Sequence, residues 1–489
     1  MSTLKIPSEL SMVVGGQQVA AADGGTFETV NPATGEVLAT IPRAGIQDVE
    51  RAVGAARDAF PAWRDTPTLE RVAALNSLAA LIEEHADVLG HIDVAENGSP
   101  IREMRKDAGV AAWLIRYLAG LALQVRGETL PSDPSRFNYS VLEPFGVIGR
   151  IIPFNHPALF AGSRLVAPLV TGNTVVMKPS EYTSISALKI AELASQVLPP
   201  GVFNVVTGFG QEAGDALVRH PLVRRLAFTG ADRTGRAIQA SAAAVAVKTV
   251  TLELGGKNPI IIMPDANLDD AIDGAVRGMN FTWQGQSCGS TSRLLVHSSL
   301  RQEFVARLAE RLEAMVAGAP DQLSTDTGSM VNPTQYDKVL SYLEIAKSDG
   351  ARVVTGGEPA DVPDLPHGLF FRPTLLEDGL TIASPTRRSS ARSWSRSRST
   401  HQRGRSRSPM VSSMALPRAS TLATSRWPIA SPASCRPGWF GSTTARATSP
   451  GCRSAGSRTR AWGARRASTS CSPTRSQRAS RCASRRYLR

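Results

Sequence analysis

The first quarter of the chain carries apolar residues at the spacing of amphipathic helices. Over residues 47–95 they recur three and four positions apart, which predicts two helices, and a third helical stretch follows at about residues 101–122. Residues 124–143 are more polar, contain two prolines and partly alternate. They are therefore expected to form an extended arm rather than a helix.

Beyond residue 146 the pattern changes to short apolar runs separated by helical segments. The runs are rich in Val and Ile and do not alternate with polar residues, as is typical of strands that are buried on both faces. Strands that alternate with helices in this way indicate a parallel sheet with helices packed on both sides. The runs occupy residues 146–154, 173–179, 202–208, 224–230 and 249–254.

A second α/β stretch begins at the sequence NPIIIM, near residue 258, and continues to about residue 383. It contains two helical segments, predicted at 268–285 and 300–317. The predicted fold class is therefore α/β, with a Rossmann-type parallel sheet domain followed by a second α/β domain.

Composition divides the chain at about residue 384. Residues 384–489 contain 23 arginines and four tryptophans but no lysine, aspartate or glutamate, and they show no helical or strand period. The first 383 residues carry ten more acidic than basic residues, so the net charge of +13 comes from this tail alone. One interpretation of the tail is a disordered basic segment. Its SRSRS and RGRSRS runs also fit an RNA-binding Arg/Ser segment.

The cysteines divide in the same way. Four of the five lie in the tail, so Cys288 is the only thiol of the preceding body. A single thiol cannot form an intramolecular disulfide, which favours a reducing, cytoplasmic setting. The N-terminus lacks the basic start and apolar run of a signal peptide, and no stretch reaches the roughly 18 apolar residues of a membrane span. The body is expected to be a cytoplasmic globular protein.

Two residues have the chemistry of a nucleophile and a base. Cys288 lies among Gly and Ser in FTWQGQSCGSTSR, whereas a small core cysteine, the alternative, usually has apolar neighbours. Such a thiol is reactive when a positive environment or a nearby base makes it a thiolate. Glu253 ends an apolar strand just before two glycines, where α/β sheets bind ligands. An ion-paired or helix-capping role also fits this glutamate.

Asn155 follows the first apolar run and precedes a helix. Its side-chain amide can help to hold an oxyanion, together with a backbone N–H. A helix cap is the alternative for this residue. His156 beside it is interpreted as a pocket wall or a cap rather than as a base.

Lys178 and Glu181 lie at the end of another predicted strand, in VVMKPSE. A lysine there can bond ribose hydroxyls, and the carboxylate can accept a hydrogen bond from the 2′-hydroxyl. Because a 2′-phosphate would meet a negative charge, the pair favours NAD over NADP. Glycines at strand-to-helix turns let the backbone approach a pyrophosphate, although they also fit ordinary turns. These are Gly208, Gly210, Gly214, Gly230 and Gly235.

Together these motifs closely resemble the aldehyde dehydrogenase superfamily over about residues 10–383. The motifs PFNHP, KPSE, GFG, FTGxxxxGR, LELGGKNP and GQxC occur in the order of that family and at suitable spacings. Phe154 replaces the usual tryptophan-type aromatic, and His156 is expected to reshape the substrate entrance. Ala231 stands where a serine often touches phosphate, a loss of one hydrogen bond worth about 1 kcal/mol.

The resemblance implies oxidation of an aldehyde to a carboxylate with NAD. Cys288 would attack the aldehyde, while Asn155 and the backbone N–H of Cys288 would hold the oxyanion of the thiohemiacetal. Hydride transfer to the nicotinamide would leave a thioester, which water activated by Glu253 would hydrolyse. No metal is implied. The implied cofactor-binding residues are Ile152, Pro153, Phe154, Lys178, Ser180, Glu181, Gly210, Gly214, Phe228, Thr229, Gly230, Ala231, Gly235 and Leu254.

The resemblance also implies a division into domains and a set of partners. Residues 1–123 and 144–254 would form the NAD-binding domain, 124–143 a dimerisation arm, and 255–383 a truncated catalytic domain. If the C-terminus is intact, a homodimer or homotetramer is expected, which acts on a small-molecule aldehyde and binds neither nucleic acid nor membrane.

We interpret residues 384–489 as the product of a shifted reading frame that begins after about Pro385. The family continues with Glu-Ile-Phe-Gly-Pro, whose glutamate bonds the nicotinamide ribose. One back-translation of residues 384–394, with one G inserted after the second codon, reads Ser-Pro-Asp-Glu-Glu-Ile-Phe-Gly-Pro-Val-Leu. The same shift turns residues 452–465 into Pro-Phe-Gly-Gly-Phe-Lys-Asp-Ser-Gly-Leu-Gly-Arg-Glu, the near-terminal motif of the family. A chain made as written is expected to be inactive and prone to aggregation, because missing strands leave sheet edges unpaired.

Overall fold

A computed structural model of the chain describes residues 6–133, 135 and 137–377, together with the backbone of 393–396. The α/β fold class predicted from the sequence is confirmed. The strands are β1 (Met12–Val14), β2 (Gln17–Val19), β3 (Thr26–Val30), β4 (Val37–Pro42), β5 (Val147–Ile151), β6 (Thr174–Lys178), β7 (Phe203–Val205), β8 (Val223–Gly230), β9 (Thr249–Leu254), β10 (Pro259–Ile262), β11 (Arg293–Val296), β12 (Arg352–Thr355), β13 (Thr374–Glu377) and β14 (Ser393–Arg396).

The first part of the chain contains one more helix than the sequence predicted. Residues 47–95 contain three rather than two, because the second predicted helix is divided at His85, which lies between α2 and α3 with φ −97° and ψ 12°. The helices are α1 (Ile46–Asp65), α2 (Thr68–Glu84), α3 (Ala86–Asn97), α4 (Ile101–Gly120), α5 (Pro157–Ser163), α6 (Val166–Val170), α7 (Ile185–Ala194), α8 (Asp215–Arg219), α9 (Asp232–Ala243), α10 (Leu268–Met279), α11 (Arg301–Glu313) and α12 (Pro333–Ser348).

The larger sheet has the strand order β2-β1-β7-β6-β5-β8-β9. The five apolar runs predicted as strands form its parallel part, β5 to β9. Two antiparallel strands from the N-terminus, β1 and β2, extend it at one edge and were not predicted. The chain moves outward from β5 through β6 to β7 and then returns to β8 on the other side of β5. Such a reversal opens a crevice at the carboxyl ends of β5 and β8.

Strand β6 shows why this sheet needs helices on both faces. Its side chains point alternately to the two sides, and Val175, Val176 and Met177 are each 0% exposed. Val175 and Met177 join the core formed with α2, α4, α5 and α7, whereas Val176 joins the core formed with α1, α8 and α9. Burial of each such side chain contributes about 1.5–3 kcal/mol to the free energy of unfolding, so both helical layers are needed for stability.

The second sheet has the order β10-β11-β14-β13-β12. Its central strand, β14, comes from the Arg/Ser-rich tail and pairs in parallel with β11 and β13. For these four residues the predictions of a disordered tail and of an unpaired edge are wrong. Main-chain hydrogen bonds between strands do not depend on the pattern of apolar and polar side chains. These four residues can therefore pair as a strand because they lie between β11 and β13. The remainder of residues 384–489 lies outside the described residues.

The segment predicted as an extended arm has little regular structure. Among its described residues, an antiparallel bridge joins Thr129 to Tyr139, and the backbone N–H of Leu130 donates to Asn138 O at 2.9 Å. Phe137 is 57% exposed beside Tyr139, with a ring separation of 5.6 Å. The arm therefore presents aromatic surface to solvent.

Candidate active site

The predicted cofactor and catalytic residues gather at the carboxyl edge of the parallel sheet. Residues 152–155 follow β5, residues 180–181 follow β6, and 210–214 follow β7. The pairing register places Ile151 beside both Lys178 and Phe228, and Thr229 beside Glu253. Five separate stretches of sequence thus meet at the edge where the strand order reverses. This is the edge at which ligands bind in open α/β sheets.

Lys178 and Glu181 form an ion pair at the end of β6. The ammonium Nζ lies 3.2 Å from Oε2 of Glu181, and the lysine side chain is only 2% exposed whereas that of Glu181 is 28% exposed. Burial lowers the pKa of Lys178, while Glu181 acts in the opposite direction and favours the charged form. The pair therefore presents one fixed cation and one more accessible carboxylate to the crevice. Ser180 accepts a hydrogen bond from the Tyr182 backbone N–H at 3.3 Å.

The turn between β8 and α9 requires small residues at two positions. A Cβ at Gly230 would lie 2.4 Å from the Phe228 ring, and one at Gly235 would lie 3.0 Å from Cδ2 of Leu254. Gly235 therefore lets α9 pack closely on β9, with Ala231 as the first residue before the helix. A Cβ at Gly210 would meet no atom within 4 Å, so crowding in this structure does not explain that glycine.

The side chain of Asn155 contacts the segment that carries Cys288. Its Nδ2 donates a hydrogen bond to Gln286 O at 2.8 Å. Its Oδ1 is buried and has no hydrogen-bond partner within the part of the chain described here. Asn97, at the end of α3, donates from Nδ2 to the carbonyl oxygens of Phe154 and Asn155, both at 3.2 Å. The loop after β5 is thus bound on both sides.

Neither Asn155 nor His156 caps helix α5, although the sequence left that role open for both. No side chain at the N-cap position, His156, bonds to the helix backbone. Asp93 of α3 instead accepts a hydrogen bond from the Ala158 N–H at 3.0 Å. His156 is buried, with its Nδ1 2.6 Å from Oδ2 of Asp107. Both side chains beyond the strand end are therefore available for other contacts.

Cys288 lies in a loop, residues 280–290, that we call the cysteine loop. The sequence predicted one helix over residues 268–285, and this is wrong because α10 ends at Met279. Asn280 adopts a left-handed conformation with φ 57°, which the short polar side chain of asparagine tolerates and which no helix can continue. Gln284 is also left-handed, with φ 52°. These two residues turn the chain back so that Cys288 leaves the helix axis.

A residue of the LELGGKNP motif also holds the cysteine loop in place through hydrogen bonds. Nδ2 of Asn258 donates to Cys288 O at 3.1 Å and to Ser290 O at 3.3 Å. The Cys288 side chain itself is exposed. The backbone of the cysteine is therefore held in place while its thiol stays accessible to a small molecule.

Arg164 connects Glu253 to Cys288 electrostatically. Loss of solvent lowers the pKa of its guanidinium, and the charges of Glu253 and Cys288 act in the opposite direction. Glu253 is exposed at the end of β9. The predicted nucleophile and base thus share one electrostatic environment.

Four further residues of this site were not predicted from the sequence: Asn97, Arg164, Asn258 and Gln286. Asn258 and Gln286 were within reach, because they belong to the motifs LELGGKNP and GQxC named above. Arg164 follows Asn155 by nine residues and comes directly after helix α5, which is a weak signal. Asn97 acts through hydrogen bonds that join distant segments, and no local pattern indicates such bonds.

None of the described helices combines the length and the apolar character that a membrane span requires. Within the same residues, no three His, Cys, Asp or Glu side chains are grouped so that they could hold a metal ion.

Comparison with known proteins places this site in a family. The chain matches the model of the Aldehyde dehydrogenase family over residues 19–382. It is 42% identical over 366 residues to mitochondrial aldehyde dehydrogenase of Equus caballus, covering 73% of this chain and 72% of that relative. It is 40% identical over 373 residues to hydroxyisobutyraldehyde dehydrogenase of Mycolicibacterium austroafricanum, covering 76% and 73%.

The fold expected from the resemblance is confirmed by solved structures. The NAD+ complex of aldehyde dehydrogenase from Bacillus cereus superposes with a TM-score of 0.76 and 38% identity, covering 80% of this chain and 79% of that chain. The family match ends at residue 382, two residues before the Arg-rich composition begins.

Proposed function

The chain belongs to the aldehyde dehydrogenase family, and from that premise we propose that it oxidises an aldehyde to a carboxylate with NAD through a thioester on Cys288. The observation that carries the proposal is the 2.8 Å hydrogen bond from Asn155 Nδ2 to Gln286 O, two residues before the cysteine. It brings an amide donor and an accessible thiol together at the carboxyl edge of a Rossmann-type sheet.

Cys288 acts as the nucleophile and Asn155 as the oxyanion donor. The thiolate sulfur bonds to the carbonyl carbon, and the carbonyl π electrons move to oxygen. The Asn155 amide has two N–H bonds, of which one reaches Gln286 O and the other can bind this oxyanion together with the Cys288 backbone N–H. The C–H electron pair then leaves as hydride, for which bound NAD supplies the acceptor, and the carbon remains as a thioester.

Glu253 acts as the base for hydrolysis of the thioester. Its exposed carboxylate at the end of β9 can take a proton from water, whose oxygen attacks the thioester carbon. The C–S bond then breaks and returns the thiolate. The carboxylate product carries the new oxygen.

Glu253→Gln is expected to slow turnover about 100-fold while leaving hydride transfer within about threefold of the wild type, since the amide cannot accept a proton. Single-turnover NADH formation measures the first step and steady-state kcat the second. The acylated enzyme should then accumulate and be seen as an added mass on Cys288. An equal loss in both rates would instead assign Glu253 to activation of the thiol.

The residues at the sheet edge fit NAD. The buried ammonium of Lys178 can donate to a ribose hydroxyl, and Glu181 can accept from the 2′-hydroxyl. The turn between β8 and α9, in which a Cβ at Gly230 would strike Phe228, allows backbone to approach a phosphate at a helix N-terminus. The carboxylate of Glu181 opposes a 2′-phosphate, which supports NAD over NADP.

Glu181→Gln is expected to raise the ratio of kcat/KM for NADP to that for NAD about tenfold, equivalent to about 1.4 kcal/mol. The substitution removes the negative charge but keeps the side-chain shape and leaves Lys178 in place. Glu192→Gln is the matched control, because Glu192 pairs with Lys189 at the same i,i+3 spacing on the surface of α7. If both variants changed the ratio equally, Glu181 would have no direct role in cofactor choice.

Self-association into a homodimer or homotetramer belongs to this proposal. The aromatic surface of the arm, with Phe137 and Tyr139 exposed, supports it. An inactive product and an RNA-binding protein were the sequence-based alternatives. The family match and the joint location of Cys288, Glu253 and Asn155 favour aldehyde oxidation over both.

The test uses two purified forms, the chain as written and the chain with one G inserted after the codon for Pro385. Each is mixed with NAD and a panel of aliphatic and aromatic aldehydes, and both NADH and the carboxylate are measured. We expect the base-restored form to produce NADH and carboxylate in equal amounts. Absence of aldehyde-dependent NADH in both forms would overturn the proposed function, whereas activity in the base-restored form alone would locate the defect in the tail.

A further inference from the structure

His156 lies between the predicted oxyanion donor and helix α5, and it is almost fully buried. Its Nδ1 is 2.6 Å from Oδ2 of Asp107, and each of the two residues is 5% exposed. Asp107 lies on α4, 49 residues earlier in the sequence. A buried carboxylate requires such a partner, because an unpaired charge in the interior costs several kcal/mol.

The ring of His156 also packs against the cysteine loop. Its centroid lies 5.2 Å from the ring of Trp283 in a tilted arrangement and 5.4 Å from Phe160 in an edge arrangement. Trp283 is five residues before Cys288 and stands between the left-handed residues Asn280 and Gln284. One imidazole therefore contacts α4, α5 and the loop that carries the thiol.

Few other contacts determine where the Asn155 amide points. The backbone carbonyl oxygen of Asn155 accepts a hydrogen bond from Asn97 Nδ2 at 3.2 Å, and the side-chain Nδ2 of Asn155 donates to Gln286 O in the cysteine loop at 2.8 Å. The next residue along the chain is His156, whose bond to Asp107 fixes the backbone on the other side. Displacement of this anchor would move the amide and the Trp283 end of the cysteine loop independently of each other.

We propose that His156, held by Asp107, is a positioning residue that aligns the Asn155 amide with the Cys288 thiol. This inference rests on the proposed function. The pair touches neither the thiol nor the predicted cofactor residues among the described contacts, so it acts through Asn155 and Trp283. A misplacement of about 1 Å at a reacting centre can cost about 100-fold in rate.

His156→Phe is expected to lower the single-turnover rate of hydride transfer about 10- to 100-fold, with the dissociation constant for NAD unchanged. The phenyl ring keeps the contacts with Trp283 and Phe160 but cannot bond to Asp107. Asp107→Asn, which still offers Oδ1 as an acceptor for Nδ1–H, should stay within about threefold of the wild type. The readouts are stopped-flow NADH formation with enzyme in excess, NAD affinity and Tm.

The double variant His156→Phe/Asp107→Leu separates positioning from stability. It removes the orphaned carboxylate, so Tm should recover relative to the single variant while the rate stays low. If the single variant does not fold, the rate of hydride transfer is measured in the double variant instead. His220→Phe is the matched control. His220 is also buried, and its Nε2 lies 2.9 Å from Oε2 of Glu50 in a pair outside the candidate site. This control should lower Tm and leave the rate unchanged.

Recovery of the rate together with Tm in the double variant would overturn the proposal, as would an unchanged rate in His156→Phe or a parallel loss of NAD affinity. These results differ from failure of the proposed function, in which the unsubstituted chain forms no NADH in either form. All variants are therefore made in the form that turns over.

Discussion

Replacement of Cys288 by alanine is expected to reduce aldehyde-dependent NADH formation by about four orders of magnitude or more, with NAD binding and Tm unchanged. No other thiol of the first 383 residues can replace it, because the four remaining cysteines lie between residues 435 and 482. The side chain is exposed and its backbone is held by Asn258, so removal of the sulfur should not disturb the loop. The loss is therefore chemical rather than structural.

Two measurements make this prediction specific. Titration with a thiol reagent should lose one fast-reacting group in Cys288→Ala, and substrate should protect that group in the unsubstituted chain. In the chain as written, Cys435→Ala is the matched control, in which a thiol is removed far along the sequence and the fast-reacting group should remain. Turnover by Cys288→Ala above about a hundredth of the wild-type value would show that another group attacks the aldehyde.

Insertion of one G after the codon for Pro385 is expected to convert an aggregating product into a soluble dehydrogenase. Two family motifs emerge in one frame and in order, and the family match stops at residue 382. Strand β14 offers a further argument, because it is central and parallel yet reads Ser-Trp-Ser-Arg. Central parallel strands are typically apolar, and the restored frame places Val and Leu at its first two positions.

The reading frame is tested first by resequencing the gene across the codons for Ala383 to Arg388, and then by expressing both forms. We expect the base-restored form to carry most of the soluble yield and the turnover, since the written tail places a charged segment where an apolar strand is needed. A base found in the gene would make the written tail a sequencing error. Equal solubility and kcat for both forms would contradict the frame shift as the cause of any defect.

The sequence determined the elements whose evidence is local. The runs that became β5, β6 and β8 were short, rich in apolar residues and without regular alternation, the pattern typical of strands buried on both faces. Because carboxyl ends of parallel strands share one edge, the strand pattern alone was enough to predict that Lys178, Glu181 and Glu253 lie at the same edge. Cys288 stood out because its neighbours are unlike those of a core cysteine.

The sequence failed where one residue or a distant partner decides the outcome. The apolar residues of 268–285 follow a helical period, yet the helix ends because Asn280 adopts a left-handed conformation. Hydrophobic periodicity does not predict such a conformation. Strands β1 and β2 were missed because three-residue strands carry too little pattern and become stable only by pairing with β7 and with each other.

Only the tertiary structure decided how the site is held. The bonds from Asp107 to His156, from Asn97 to Asn155, and from Asn258 to Cys288 join segments 30 to 58 residues apart. Periodicity reports which face of an element is buried, but it contains no information about which polar groups meet once the elements pack. The sequence therefore identifies the residue types for catalysis, whereas their relative positions are determined by the packing of α3, α4 and the cysteine loop around the end of β5.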